Sequence, residues 1–406
     1  MSKIGCVPVR GACRGNLIGR WVTLGLGSAL LAVGLLACQN PAAGGGTGGS
    51  TPEYLYVTNY KSTGPNGISA YSIGSGGALT AITSGTFTTG VNPEGIEASA
   101  NGDFLYVENS ANGTVSAFTI GSSGSLSDVP GSSCGSSGTT NCADVPPDAT
   151  DGAVSSGGDY LYVVSSNSSA NYGVTPFTYN AANGTLTAGT EVTSVNQPEG
   201  VAVTPNADFL YVANYSGNTV SGFSIGSGGA LSNIGGSSSA TTYSAGTGPV
   251  NIAISPNGFY LYVTNEGCTA SSSGSCSAGL SAFTTYQGSV NGELTPITGG
   301  TTVTGASPSG IAITPNGSYL YVANGGSNTI SGYTIGSGGV LGSIGSYSTG
   351  STPAGIAFTP DGKYLYVANA AGNTISEFSI GAGGVLTSAG TFSAGSDPGF
   401  IAIVSK

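Results

Sequence analysis

The sequence predicts an all-β chain whose main domain is one seven-bladed β-propeller of four-stranded antiparallel blades. Three observations carry this reading. A hexapeptide recurs seven times, each copy sits in a longer unit of four β-rich runs, and the first unit lacks a strand that the last residues supply.

The hexapeptide appears as Tyr54-Leu-Tyr-Val-Thr-Asn59 and Phe104-Leu-Tyr-Val-Glu-Asn109, then as Tyr160-Leu-Tyr-Val-Val-Ser165 and Phe209-Leu-Tyr-Val-Ala-Asn214. It returns at Tyr260–Asn265, Tyr319–Asn324 and Tyr364–Asn369, with spacings of 50, 56, 49, 51, 59 and 45 residues. Self-similarity at such a period is the mark of solenoids and propellers. Tyr-Leu-Tyr-Val is apolar on both faces, so both faces of this strand are covered, as they are when blades stack around an axis.

Upstream of each copy lies a run such as Pro308-Ser-Gly-Ile-Ala-Ile-Thr314, followed by a Pro-Asn-Gly turn suited to a tight hairpin. Its small Ala residues suit the innermost strand, where blades converge. Downstream come Asn328–Ile335, a Gly-Ser-Gly-Gly turn and a short strand from Leu341. These four runs make one antiparallel blade, and no run has a helical period. The first copy lacks the upstream run, which stands at the other end as Pro398-Gly-Phe-Ile-Ala-Ile-Val404. The C-terminal strand is therefore expected to pair with Tyr54–Thr58 and close the ring, leaving no open edge. The Asn residues that end six copies recur too regularly for a ligand site and read as turn caps.

Ahead of the repeats, residues 1–37 read as an export signal. Lys3, Arg10, Arg14 and Arg20 precede the apolar stretch from Trp21 to Leu36, which is short for a bilayer span. The ending Leu35-Leu-Ala-Cys38 resembles the lipobox of bacterial lipoproteins. That resemblance implies acylation of Cys38 and a membrane partner reached through the lipid. Residues 38–52 then form a Gly/Ser-rich tether, and 53–406 the propeller. The expected address is the bacterial cell envelope, outside the cytoplasm. Cys134 with Cys142 and Cys268 with Cys276 fit two local disulfides in an oxidising compartment, since a metal site would want tighter spacing and a His. They fall in the two longest spacings and so staple insertions.

Charge excludes whole classes of partner. Beyond the signal only Lys61, Lys363 and Lys406 oppose all eighteen Asp and Glu, a net charge of −15, and no Arg or His remains. Such a field repels nucleic acid and phosphorylated substrates.

The Tyr-Val-Thr-Asn core resembles the YVTN-type propeller repeat, which is related to seven-bladed lactonase-like propellers of the 6-phosphogluconolactonase type. The resemblance covers about residues 53–404. It implies the fold and a lactone-opening activity that uses His, Arg and Glu side chains. This chain departs from that pattern, because only carboxylates are available.

Candidate site residues follow from repeat register. The residue after the inner-strand Pro is Glu94 in blade two and Glu199 in blade four. In blade three Ala149 takes the Pro place, flanked by Asp148 and Asp151, and Asp397 precedes Pro398 in blade one. Five carboxylates converging on one rim would suit Ca²⁺, which takes six to eight oxygen ligands; the same residues as solvated loop carboxylates are the plainer reading. Two functions stay open at this point. The first is a non-enzymatic binding propeller meeting a protein, glycan or small ligand at its rim. The second is a lactonase-like hydrolase that depends on a metal because it lacks His and Arg.

Overall fold

The computed structural model describes residues 51–60, 67–82, 87–130, 143–167, 171–236, 241–267, 279–285, 292–299 and 302–406. The expected signal, Cys38, the expected tether before residue 51, and Cys134, Cys142, Cys268 and Cys276 lie outside the described residues. Residues Ser50–Lys406 form one compact unit, and among the described residues no helix is long and apolar enough to cross a membrane.

The strands form antiparallel sheets arranged as propeller blades, each built on four strands that run in sequence order except in the sheet that joins the first strand to the last. Blade six shows the plan: Pro308–Ile313 innermost, then Tyr319–Asn324, Thr329–Ile335 and Leu341–Ser348 at the outer edge. In blades six and seven the outer track is one long strand. In blade four it is split into Leu231–Asn233 and Thr241–Ser244, both paired with Thr219–Ile225.

Closure follows the sequence reading. Pro398–Ser405 pairs antiparallel with Glu53–Asn59, joining Tyr54 to Val404, Tyr56 to Ala402 and Val57 to Ile401. The first and last strands of the propeller therefore share a sheet, whose edge is hydrogen-bonded rather than left open.

The hexapeptide strand is second in every blade and is buried on both faces. Leu55, Tyr56 and Val57 are all 0% exposed, and the same holds for their counterparts in the other six copies. Its second tyrosine carries a bond that repeats around the ring. Tyr56, Tyr106, Tyr162, Tyr211, Tyr262, Tyr321 and Tyr366 each donate Oη–H to a glycine carbonyl in the following blade, at 2.5–3.3 Å. The acceptors are Gly124, Gly184, Gly229, Gly292, Gly339, Gly384 and Gly77, in the hairpin between third and fourth strands. Each of these glycines has φ between 60° and 87°. A Cβ at Gly229 would also fall 2.6 Å from the Tyr160 ring, so conformation and space both require glycine there. The Gly-Ser-Gly-Gly turns thus serve blade-to-blade docking as well as chain reversal.

The terminal Asn of the hexapeptide is buried and holds its own hairpin. Asn214 Nδ2 donates to Thr219 Oγ1 and Ser221 Oγ at 3.1 and 2.9 Å, and Asn324 and Asn369 repeat the pattern. This is the turn-capping role expected of a residue that recurs in most blades.

Removing one tyrosine hydroxyl tests the latch. Tyr211→Phe is expected to keep the fold and lower unfolding free energy by about 1–3 kcal/mol, because the buried Gly292 carbonyl loses its donor. Gly229→Ala is expected to cost more than Tyr211→Phe, through its left-handed backbone and the Tyr160 ring. Urea unfolding reads both, and an unchanged midpoint in both variants contradicts the latch.

Candidate functional site

The inner strands bring one residue of each blade to the mouth of the central channel. Just before the inner-strand Pro position stands a residue with positive φ: Asn92, Asp148, Gln197, Gly248, Ser307, Thr352 and Asp397, between 46° and 61°. Its carbonyl accepts the N–H of the residue that follows the hexapeptide, for example Tyr60 to Asp397 at 3.0 Å and Ser166 to Asp148 at 2.8 Å. A register shift follows in every inner strand, as between Pro93 and Ile96. Such bulges re-aim side chains, and here they turn the residues after the Pro toward the channel.

Those residues line one cavity of about 160 Å³: Glu94, Thr150, Glu199, Val250, Ser309 and Ala354, with Phe400 beside them. Its wall is asymmetric. Glu94, Thr150 and Glu199 come from three consecutive blades and make an acidic side, while Val250, Ala354 and Phe400 make an apolar one. Thr150 and Ser309 spend their hydroxyls on neighbouring backbone carbonyls, to Pro198 O at 3.3 Å and Pro353 O at 3.2 Å. Glu94 and Glu199 are the ionisable residues of this lining.

Burial pushes both glutamates up to about 7, and acidic neighbours reinforce it. Asp148 adds to Glu94, whose shift is moderated by a bond with Ser110; Glu94, Glu266 and Asp148 add to Glu199. Each carboxyl is therefore divided between acid and base near neutral pH, the condition for proton transfer in either direction.

The five residues expected on one rim do not share one place. Glu94 and Glu199 meet at the mouth cavity, with Asp148 close enough to act on both. Asp397 acts with Glu94 and Asp148 on Tyr60, raising its pKa after burial has done so. Asp148 and Asp397 hold left-handed turn positions, which Asp tolerates better than most residues, so their type has a conformational reason. Asp151 lies one position deeper, buried, with a carboxylate oxygen accepting the Val201 N–H at 3.0 Å. The residue one place after the Pro opens onto the mouth, whereas the residue two places after it points down the channel.

Calcium fits this arrangement poorly. Among the described residues no group of three or more His, Cys, Asp or Glu is placed to hold a metal ion, and calcium needs six to eight oxygens. No step below is routed through a metal.

Reading by register missed the remaining acids. Glu97 and Glu108 both belong to blade two; Glu108 and Asp151 are buried, and Glu97 stands half-buried against them beneath the mouth. Tyr215 and Glu266 were also missed; they follow the hexapeptide in blades four and five, and Tyr215 Oη donates to Glu266 Oε2 at 3.1 Å. In each case the signal was a departure from the repeat. Glu97 replaces the Ala of every other inner strand, and Glu108 replaces Thr, Val or Ala.

The comparisons agree with this architecture. Residues 54–146, 148–235 and 235–403 match the family described as lactonase, 7-bladed beta-propeller. Among solved structures, a 6-phosphogluconolactonase candidate from Bacteroides uniformis is 18% identical with a TM-score of 0.70, over 88% of this chain and 100% of its own. The periplasmic gluconolactonase of Pseudomonas aeruginosa is 18% identical with a TM-score of 0.69, over 87% and 99%. A protein from Lactobacillus plantarum is 20% identical with a TM-score of 0.70, over 87% and 99%. At such identities the likeness is one of fold. The search of curated proteins gives no match.

The mouth glutamates make stability depend on pH. Their folded pKa values lie above those of an unfolded chain, so the unfolded state gains by ionising first as pH rises from about 4.5. Their destabilising effect therefore grows between about pH 4.5 and 7 and levels off above. The Glu94→Gln, Glu199→Gln double variant is expected to melt higher than the parent at pH 8 and no higher at pH 4. Melting curves across that range check it, and a parallel displacement at all pH values contradicts it.

Proposed function

We propose, on the premise that the chain belongs to the lactonase family of seven-bladed β-propellers, that it hydrolyses an uncharged lactone at the channel mouth. The observation that carries this reading is the pair Glu94 and Glu199 in one half-apolar cavity, each poised near pH 7.

In this reading the lactone ring lies against Val250, Ala354 and Phe400 with its ester edge toward the glutamates. The ionised carboxylate of the pair takes a proton from water as the water oxygen bonds to the carbonyl carbon. The carbonyl electrons move onto its oxygen. When the tetrahedral species collapses, the bond between carbonyl carbon and ring oxygen breaks, and the ring oxygen takes a proton from the other, neutral carboxyl. Water is added overall, and the product is a hydroxy acid. Two carboxyl groups in complementary protonation states suffice for both transfers.

Charge supports the choice of substrate. The neighbours that act on the pair are acidic, and the mature sequence has no Arg or His to clamp a phosphate. A neutral lactone enters such a mouth without penalty, and the carboxylate produced is repelled from it. Family membership and the paired-glutamate cavity favour this reading over a binding scaffold. It retains the seven-blade count, and it retains the lipoprotein address that the lipobox supports, in which Cys38 tethers the enzyme to the envelope.

Purified protein is expected to open neutral γ- and δ-lactones faster than buffer does and to leave phosphorylated lactones at the buffer rate. Glu94→Gln and Glu199→Gln should each lower kcat by about 10²–10⁴, the usual worth of a general acid or base. A parent protein no faster than buffer on every neutral lactone sinks the reading. Labelling with radioactive palmitate tests the address separately: incorporation should be lost in Cys38→Ala, and its absence in the parent contradicts the anchor.

A further inference from the structure

Blade two breaks the repeat at two neighbouring points. Six inner strands carry Ala four places after the Pro position, and blade two carries Glu97. The fifth hexapeptide residue is Thr, Val or Ala in six copies and Glu108 in blade two. Asp151 of blade three, standing where four inner strands have Gly, completes the group.

Glu108 and Asp151 are buried, Glu97 is half-buried beside them, and no counter-charge acts on the three. Glu108 is 0% exposed, and neither of its carboxyl oxygens has a donor in hydrogen-bonding geometry; the same is true of Glu97 Oε2. The two carboxyls press on the same spot: a Cβ on Gly152 would lie 2.7 Å from Glu108 Oε1 and 2.7 Å from Glu97 Oε2. The groups acting on this trio are Glu97, Glu108, Asp151 and, beyond it, Glu199, all of them acids. Two adjacent carboxylates cannot both stay ionised in such a place. Asp151 is the best prepared to keep a charge, since it accepts the Val201 N–H. The contact between the two glutamate side chains raises Glu97 and lowers Glu108, so Glu97 is the one that keeps the proton. Its Oε2 is the oxygen buried against Glu108, which leaves Oε1 for the hydroxyl.

That hydroxyl has somewhere to go. Glu97 lines a chamber of about 210 Å³ with Asp151, Asn251 and Phe400, and Asn251, Gly310 and Phe400 also wall the mouth cavity above. Glu94 and Glu97 stand on one strand, on either side of its bulge, the first at the mouth and the second in the chamber. This arrangement suits a ring held between a base at the mouth and a donor below it. Hydrolysis needs such a donor, because negative charge grows on the carbonyl oxygen, and the mouth supplies no cation for it.

We propose that Glu97, held as a neutral carboxylic acid, donates a hydrogen bond into the channel to the carbonyl oxygen of an uncharged ligand. This rests on the hydrolase reading for its catalytic meaning and on the chamber alone for its binding meaning. The proton stays on Glu97 while the oxyanion forms and collapses. Glu97 is then a catalytic residue, and Glu108 is a positioning residue that acts through it.

Infrared difference spectroscopy of the carboxylic C=O stretch at neutral pH tests the donor directly, with a neutral lactam as a ligand that resists opening. The expected result is a carboxylic-acid band that moves when the lactam is added and is missing in Glu97→Gln. A band unaffected by Glu97→Gln, or one that ignores saturating lactam, overturns the proposal. Loss of the band on adding Ca²⁺ alone also overturns it, since the trio would then be a cation site. Activity gives a second reading. Glu108→Gln replaces an acid with an amide donor that favours ionised Glu97, so the alkaline limb of the kcat profile should move to lower pH. An unmoved limb counts against the role of Glu108. If the lactam moves the band while no lactone is opened, the donor site stands and the hydrolase reading falls.

Discussion

The ring depends on one repeated hydrogen bond, from a fully buried tyrosine to a left-handed glycine of the following blade. It joins what neither blade could satisfy alone. A tyrosine body buried among apolar residues needs a partner for its hydroxyl, and a hairpin carbonyl covered by a neighbouring blade needs a donor. The glycine is required because its φ is positive and because the aromatic ring that opens the same hexapeptide occupies the space of a Cβ. Seven latches and one shared sheet at the chain ends fix the inner strands around a common axis. Side chains at equal register then fall at equal heights in the channel.

That regularity separates scaffold from site. Where a residue type recurs in all or nearly all blades it serves packing, as with the latch tyrosines and the six terminal asparagines. The channel instead is built from departures. Glu94 and Glu199 stand where other blades have Thr, Val, Ser, Ala or Gly, and Glu97 and Glu108 stand where others keep small or β-branched residues. Each buried acid is expensive unless it is protonated or paired. Glu108 is fully buried and Glu94, Glu97 and Glu199 half-buried, and these four departures are what the proposed chemistry rests on.

Much of this was legible in the residues. The hexapeptide gave the blades, and the displaced C-terminal run gave the pairing that closes the ring. Glu94 and Glu199 were found because the Pro marks the start of each inner strand. Glu97 was not, because reading stopped two places after the Pro and Glu97 stands four places after it, where the other inner strands keep Ala. Glu108 was hidden inside a motif taken as packing, although its charge in a both-faces-buried strand was the available signal. Asp151 departs from the expected rim for a related reason: its register places it deeper than Glu94, a difference of height that a linear reading does not contain. The expectation of a binding propeller rested on missing His and Arg; it overlooked that two buried carboxyls can divide acid and base between them.

The most direct test of the account is a crystal structure with an unreactive neutral lactam bound. The predicted result is density in the channel mouth, its ring on Val250 and Phe400 and its amide edge between Glu94 and Glu199. Density on the outer faces of the blades, or an empty channel in crystals soaked at saturating lactam, would contradict it.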